Sequence, residues 1–292
     1  MHDAYKSQTD STKRTRPTHW RKFFESSLCK KFRSLSPGHK ADKNMGQGIR
    51  SLCHHEPSEK KTIEYRTEIG GSIDISFQYK AIYIPVMKAG SQMFQEVFRK
   101  RLKGKRIYDR ELHYYLKKYD LRLEDFYIFT FVRNPFSTFV SAYGEVSKYT
   151  ARNRTQVKGF SAIEDRPENE PKRALAALED IRKGTFHGLV PAHMYTQTWK
   201  VSRCMADRAL TEIPLHFVGH LENLDADWKY VERQLKLSHQ SLPVIHSSGP
   251  KRQLPFDAPS KSGRFSTLTR EVCDYYRADF VCFGYDDSIC NQ

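Results

Sequence analysis

A lysine, a glycine and a serine packed between an apolar run and a helical pattern can hold an anion, and the chain supplies them in Lys88-Ala89-Gly90-Ser91-Gln92. The preceding Ile82, Tyr83, Ile84 and Val86 read as a buried strand, and Met93, Phe94, Val97 and Phe98 recur at helical spacing between Gln92 and Arg101. The first amides of such a helix lack carbonyl partners, and glycine removes the Cβ that would keep a ligand away. Lys88 adds a positive charge and Ser91 a hydroxyl. The triphosphate-loop pattern GxxxxGK[ST] is not met, which disfavours an ATPase or GTPase. Taken alone, the stretch also fits an ordinary strand-to-helix turn capped by serine.

A second stretch, Phe126 to Tyr143, repeats the order of strand, polar turn and helix. Tyr127 to Val132 is the expected strand, and Pro135 falls near the first helical position, where its missing N–H costs nothing. Arg133 stands at the strand's end, where its guanidinium can fork onto a phosphate. Ser141, eight residues on, lies about two turns into the helix. The plain alternatives are a helix-terminal salt bridge for Arg133 and a small contact residue for Ser141. Two anion turns on parallel strands suit a nucleotide carrying two separate phosphate groups.

The elements that position these residues alternate strand with helix, which predicts an α/β fold: a P-loop-like parallel sheet flanked by helices, with the site at the strands' carboxyl ends. Ile63 to Ile69 and Ile73 to Tyr79 alternate around Gly70-Gly71 and predict a hairpin leading into the first parallel strand. Arg99 to Leu123 reads as a charged helical or looped connection carrying His113. Helices are expected over Pro171 to Lys183, Leu224 to Leu237 and Leu268 to Phe280, with a strand over Leu215 to Gly219. The polar stretches Thr150 to Glu170 and His239 to Gly263 are expected loops, where an acceptor would bind.

Residues 1–60 are basic, rich in Ser and Thr and without periodicity, and read as a disordered tail before a single domain over residues 61–292. Trp20 to Phe32 within the tail reads as a solvated basic arm or a short basic amphipathic helix, through which the chain would associate with a membrane. No run of about 20 apolar residues and no signal-peptide core is present. A net charge of +15 and a pI near 9.5 call for a polyanionic partner. Nucleic acid is disfavoured, because the aromatic residues lie in apolar element patterns and form no stacking platform. The six cysteines include no C-x-x-C pair, and no clustered His or carboxylate motif asks for a metal. Cys273, Cys282 and Cys290 crowd the C-terminus, which admits a Cys282–Cys290 bridge or buried free thiols.

At four places the sequence resembles the Golgi-type carbohydrate sulfotransferases, the family 2 group. Lys88-Ala89-Gly90-Ser91 resembles their 5′-phosphosulfate loop, with Val86 and Met87 standing between Pro85 and Lys88 where the family writes PK together. Val132-Arg133-Asn134-Pro135-Phe136-Ser137 through Ser141 resembles their 3′-phosphate motif. Phe217 to Leu224 with Asp227-Trp228 resembles their FVGRFENL…DW segment, and Tyr276 to Asp286 their C-terminal ending. The resemblance, from about Ile82 to Asp286, implies one sulfotransferase domain, 3′-phosphoadenosine 5′-phosphosulfate as donor, a carbohydrate hydroxyl as acceptor, neutral or acidic, and no metal.

It also implies roles: Lys88 at the bridge oxygen, the loop Ala89 to Gln92 at the 5′-phosphate, Arg133 and Ser141 at the 3′-phosphate, and Lys261 and Arg264 as a lid over it. Lys261 and Arg264 read equally as a solvated basic loop. His193, in a segment similar to the family's H-x-x-x-Q, is the first candidate for the base, with Tyr195 and Gln197 beside the acceptor. His187, His113 and Glu222 are its rivals, and Glu222 is also expected to anchor the Glu222-Asn223 turn. A Golgi lumenal or membrane location is implied, and a cytoplasmic one otherwise. The alternative from another class is a non-catalytic basic module that holds sulfated or phosphorylated polymers.

Overall fold

The computed structural model describes residues 72–108, 111–151, 163–164, 166–182, 193–202, 215–243 and 267–290. Five strands form one sheet: β1 Ser72–Ser76, β2 Ala81–Ile84, β3 Lys105–Tyr108, β4 Tyr127–Val132 and β5 Phe217–His220, in the order β3-β1-β2-β4-β5. β2, β4 and β5 run parallel, with Ile82 opposite Ile128 and Thr130 opposite Val218. β1 is antiparallel to both β2 and β3. The α/β class holds, and the sheet is mixed, with a parallel half that carries the two loops and an antiparallel edge.

Among the described residues the α-helices are α1 Ser91–Lys100, α2 Leu112–Lys118, α3 Pro135–Ala151, α4 Glu170–Arg182, α5 Gln197–Ser202, α6 Leu224–Gln234, α7 Thr267–Tyr275 and α8 Arg277–Phe283. The parallel strands are covered on both faces, as crossover helices require. Tyr83, Phe129, Phe131 and Phe217 meet Phe94, Val97 and Phe98 of α1 and Trp228 and Val231 of α6. Residues one step away, Ile82, Ile84, Ile128 and Val218, face a second core with Leu112, Leu116 and Phe283. The period of two thus sorts each strand into two layers. Gly219 fits because the Phe131 ring occupies its side-chain space: a Cβ there would lie 2.4 Å from Cε1.

Four differences from the sequence expectations have physical causes. The hairpin seen joins β1 to β2 through a turn at residues 77–80, with Lys80 left-handed at φ 46°, while its expected partner strand, residues 63–69, lies outside the described residues. Within the connection from Arg99 to Leu123 sits the edge strand β3. Only Ile107 of its four residues is buried, so alternation over so short a run was hidden by Lys105 and Arg106. Arg106 lies on the buried Asp74 carboxylate of β1, at 2.9 and 2.8 Å, which ties that edge down.

The expected last helix is broken at Tyr276 into α7 and α8, with the Tyr276 hydroxyl donating to the Met194 carbonyl at 2.6 Å. Finally, the disulfide joins Cys273 to Cys290, because α8 ends at left-handed Gly284 and the chain turns back to α7. Cys282 is disulfide-bonded as well, so neither the Cys282–Cys290 bridge nor the free-thiol alternative holds for these three. The expected basic tail, residues 1–60, lies outside the described residues, as does most of both expected polar loops.

Candidate active site

The first loop leaves β2 at Ile84 and reaches α1 in six residues, with Lys88 at φ 67° and Gly90 at φ 79°, both left-handed. Two such residues curl the main chain so that the amides ahead of α1 turn toward one point. Phe94 N–H is the first to find a helical carbonyl, that of Gly90 at 3.1 Å, which leaves the Ser91, Gln92 and Met93 amides without one. No side chain caps this end and no acidic residue occupies its first turn. Gly90 is required twice over, because its φ suits glycine and a Cβ would sit 3.2 Å from Leu221 Cδ1.

The second loop presents Arg133 directly after β4. The Arg133 N–H donates to Gln197 Oε1 at 2.7 Å, and Gln197 Nε2 donates back to the Arg133 carbonyl at 2.6 Å. One side chain thereby satisfies both main-chain groups where the strand's pairing stops. Next in the chain, Asn134 Oδ1 accepts from the Phe136 and Ser137 amides and starts α3. The Arg133 guanidinium reaches across to the first loop, with Nη1 donating to the Lys88 carbonyl at 3.4 Å. The two loops, on neighbouring parallel strands, therefore share one site. Ser91, at the start of α1, and Ser141, on α3, are half-buried.

Glu222 belongs to the scaffold. Its Oε1 accepts from the Asn134 N–H at 2.7 Å and its Oε2 from the Tyr285 hydroxyl at 3.0 Å, so it ties the turn after β4 to the C-terminal segment. Asp279, fully buried, accepts from the Gln197 and Thr198 amides and the Thr198 hydroxyl, each at 2.8 Å, and so fixes the start of α5. Asp227 does the same for the end of β5, accepting from His220 N–H at 2.6 Å and Asn223 Nδ2 at 2.9 Å.

His193 comes next to Lys88 from the segment before α5. Its Nδ1 is buried and has no hydrogen-bond partner, a rare condition for a buried ring nitrogen. Burial, reinforced by the Lys88 and Lys200 charges, lowers its pKa to about 4, so the imidazole is neutral. Lys88 itself is largely buried, with 14% of its side chain exposed, and its Nζ lies 3.6 Å from Glu145 Oε2. Burial also lowers the Lys88 pKa, and Lys148 and Arg133 push the same way, while Glu145 opposes them.

Sequence reasoning missed Glu145, since a carboxylate midway along α3 carries no local signal. Gln197, expected beside the acceptor, is fully buried with its amide paired to the Arg133 main chain. His113 lies exposed on α2, and no contact links it to Lys88 or Arg133. Lys261, Arg264 and His187 lie outside the described residues.

Beside α1 is a cavity of about 320 Å³, lined by Met93 of its first turn, Leu224, Trp228 and Lys229 of α6, and His239 and Gln240. Among the described residues no group of three or more His, Cys, Asp or Glu is placed to hold a metal, and no helix is long and apolar enough to cross a membrane.

The two turns lie at the carboxyl ends of adjacent parallel strands, the edge at which open α/β sheets bind their ligands. The sulfotransferase family model matches residues 72–286, and the chain belongs to that family. It is a transferase of sulfuryl groups. No curated protein and no solved structure matches the chain.

Proposed function

We propose that the protein transfers the sulfuryl group of 3′-phosphoadenosine 5′-phosphosulfate to a hydroxyl of a carbohydrate. The observation that carries this reading is the Arg133 to Lys88 contact, which joins two cationic loops beside the free amides of α1. The residues fit such a donor: uncapped amides and a glycine cradle for one phosphate, Arg133 with Ser141 for a second, and the neighbouring cavity for a heteroaromatic ring. When bound, the donor supplies an activated sulfuryl group whose bridge oxygen departs with negative charge.

The chain's own residues then act by position and charge. The Ser91 and Gln92 amides with the Ser91 hydroxyl hold the 5′-phosphate in register with α1. Arg133, pinned by Gln197, holds the 3′-phosphate, and Lys88 meets the charge that grows on the bridge. His193 accepts the acceptor's proton at a ring nitrogen, Nδ1 being the one without a partner. A bound anion offsets the Lys88 charge that depresses this imidazole, and so raises its basicity when a base is needed. Lys261 and Arg264 remain the proposed lid.

The Cys273–Cys290 bridge supports an oxidising compartment, and we read the location as the Golgi lumen. An acidic glycan suits the +15 charge.

Isothermal titration with 3′-phosphoadenosine 5′-phosphate against ATP, followed by sulfate transfer to a panel of glycans, tests the proposal. Binding of the bisphosphate alone, with transfer, supports it. Polyanion binding with neither nucleotide affinity nor transfer selects the non-catalytic module.

A further inference from the structure

Glu145 is the one acidic group facing Lys88 among the described residues, and the established family activity gives it no task. It lies one helical turn beyond Ser141 on α3, and Lys148 follows three residues later, so all three share the face turned to the first loop. Its carboxylate is 3.6 Å from Lys88 Nζ, and both side chains are mostly buried, at 21% and 14% exposed.

Every other charged group facing Lys88 is a cation or a neutral ring: Arg133 from the end of β4, Lys148 from α3 and His193 from the segment before α5. A buried ammonium so surrounded would shed its proton or swing away unless an anion held it. Before donor binds, that anion is Glu145.

We infer that Glu145 is a positioning residue: its carboxylate holds the Lys88 ammonium, charged and aimed at the anion cradle, until the donor's own negative charge takes over. The inference rests on the donor reading above. Glu145 lies on α3, which starts two residues after Arg133 and carries Ser141, so the helix that addresses the 3′-phosphate also sets the lysine for the 5′ side. The same carboxylate repels a bound bisphosphate, so it costs donor affinity while it favours turnover. These opposite signs separate positioning from simple scaffolding.

The experiment compares the full chain with Glu145→Gln and Glu145→Asp. The Lys88 titration is read directly in the free protein by the pH dependence of acetic anhydride labelling, quantified by mass spectrometry. Bisphosphate affinity and the pH profile of turnover are measured alongside.

For Glu145→Gln the labelling midpoint should fall by about one pH unit or more, since a buried lysine loses its counter-charge. The alkaline limb of turnover should fall with it, turnover should drop roughly tenfold or more, and the bisphosphate should bind as tightly or more tightly. Glu145→Asp should recover part of the loss. An unchanged labelling midpoint in Glu145→Gln overturns the inference. So does a bisphosphate affinity that falls in proportion to turnover, because that is the behaviour of a scaffold residue. Absence of bisphosphate binding in the unsubstituted chain refutes the donor reading instead, and the labelling midpoint still decides whether Glu145 holds Lys88.

Discussion

Replacing Gln197 by alanine tests whether the site is built as described. Its amide makes two hydrogen bonds of 2.7 and 2.6 Å to the main chain of Arg133, and its own backbone is fixed by fully buried Asp279. Removing the side chain leaves the Arg133 N–H without a partner and its C=O with only the Thr138 hydroxyl, 3.4 Å away, in a poorly hydrated place. Each such loss costs about 1–3 kcal/mol, so about 2–4 kcal/mol of stability is expected after partial relaxation. The Arg133 main chain is then free to shift, and a displacement of about 1 Å is enough to misalign a forked arginine. Bisphosphate affinity should fall roughly tenfold or more, with the acceptor KM little changed at saturating donor. Gln197→Glu should be intermediate, because Oε1 still accepts from the Arg133 N–H while the Arg133 carbonyl keeps only the Thr138 hydroxyl as donor. Urea unfolding gives the stability and isothermal titration the affinity. A folded Gln197→Ala with wild-type bisphosphate affinity and a raised acceptor KM would refute the reasoning and return Gln197 to the acceptor side.

Arg133→Ala should weaken bisphosphate binding by about 2–4 kcal/mol in a folded protein, read by titration calorimetry. Gly90→Ala forces a side chain into a left-handed turn 3.2 Å from Leu221, and should lower both stability and donor affinity; equal thermal midpoints would contradict this. His193→Ala should keep bisphosphate binding and lose roughly 10²–10⁴-fold in turnover, measured by sulfate transfer at fixed donor. The same residue also predicts a pH effect on stability. Its pKa falls from 6.5 in the unfolded chain to about 4 in the fold, so the unfolded state binds the extra proton between these values. Its contribution is therefore complete above pH 6.5 and lost as pH falls toward 4. On the order of 2 kcal/mol should disappear by about pH 5, and urea unfolding of His193→Ala should show a flatter acid limb.

Both strand-turn-helix loops were legible in the sequence because their signals are local. A β-branched or aromatic run, a glycine where the chain must turn left-handed, and a proline at the first position of α3 each act within a few residues. The alternation that splits Tyr83 and Phe129 from Ile82 and Ile128 follows from the strand's period alone. By contrast, what joins the loops was decided by packing. Which carboxylate meets Lys88, which amide clamps Arg133, and which cysteine pairs with Cys290 depend on atoms brought together from distant elements. Periodicity says which face of a helix is buried, but not which polar atom on that face finds a partner. The edge strand β3 and the break at Tyr276 were hidden for a related reason: each is fixed by a contact from elsewhere, Asp74 on Arg106 and the Met194 carbonyl on Tyr276. The chain by itself determined the α/β class and the two cationic turns, because short-range sterics and burial dictate them. Only the tertiary structure made them one site, by placing Glu145, Gln197 and His193 around Lys88 and Arg133, since the desolvated charges and hydrogen bonds that do so exist only once the layers have packed.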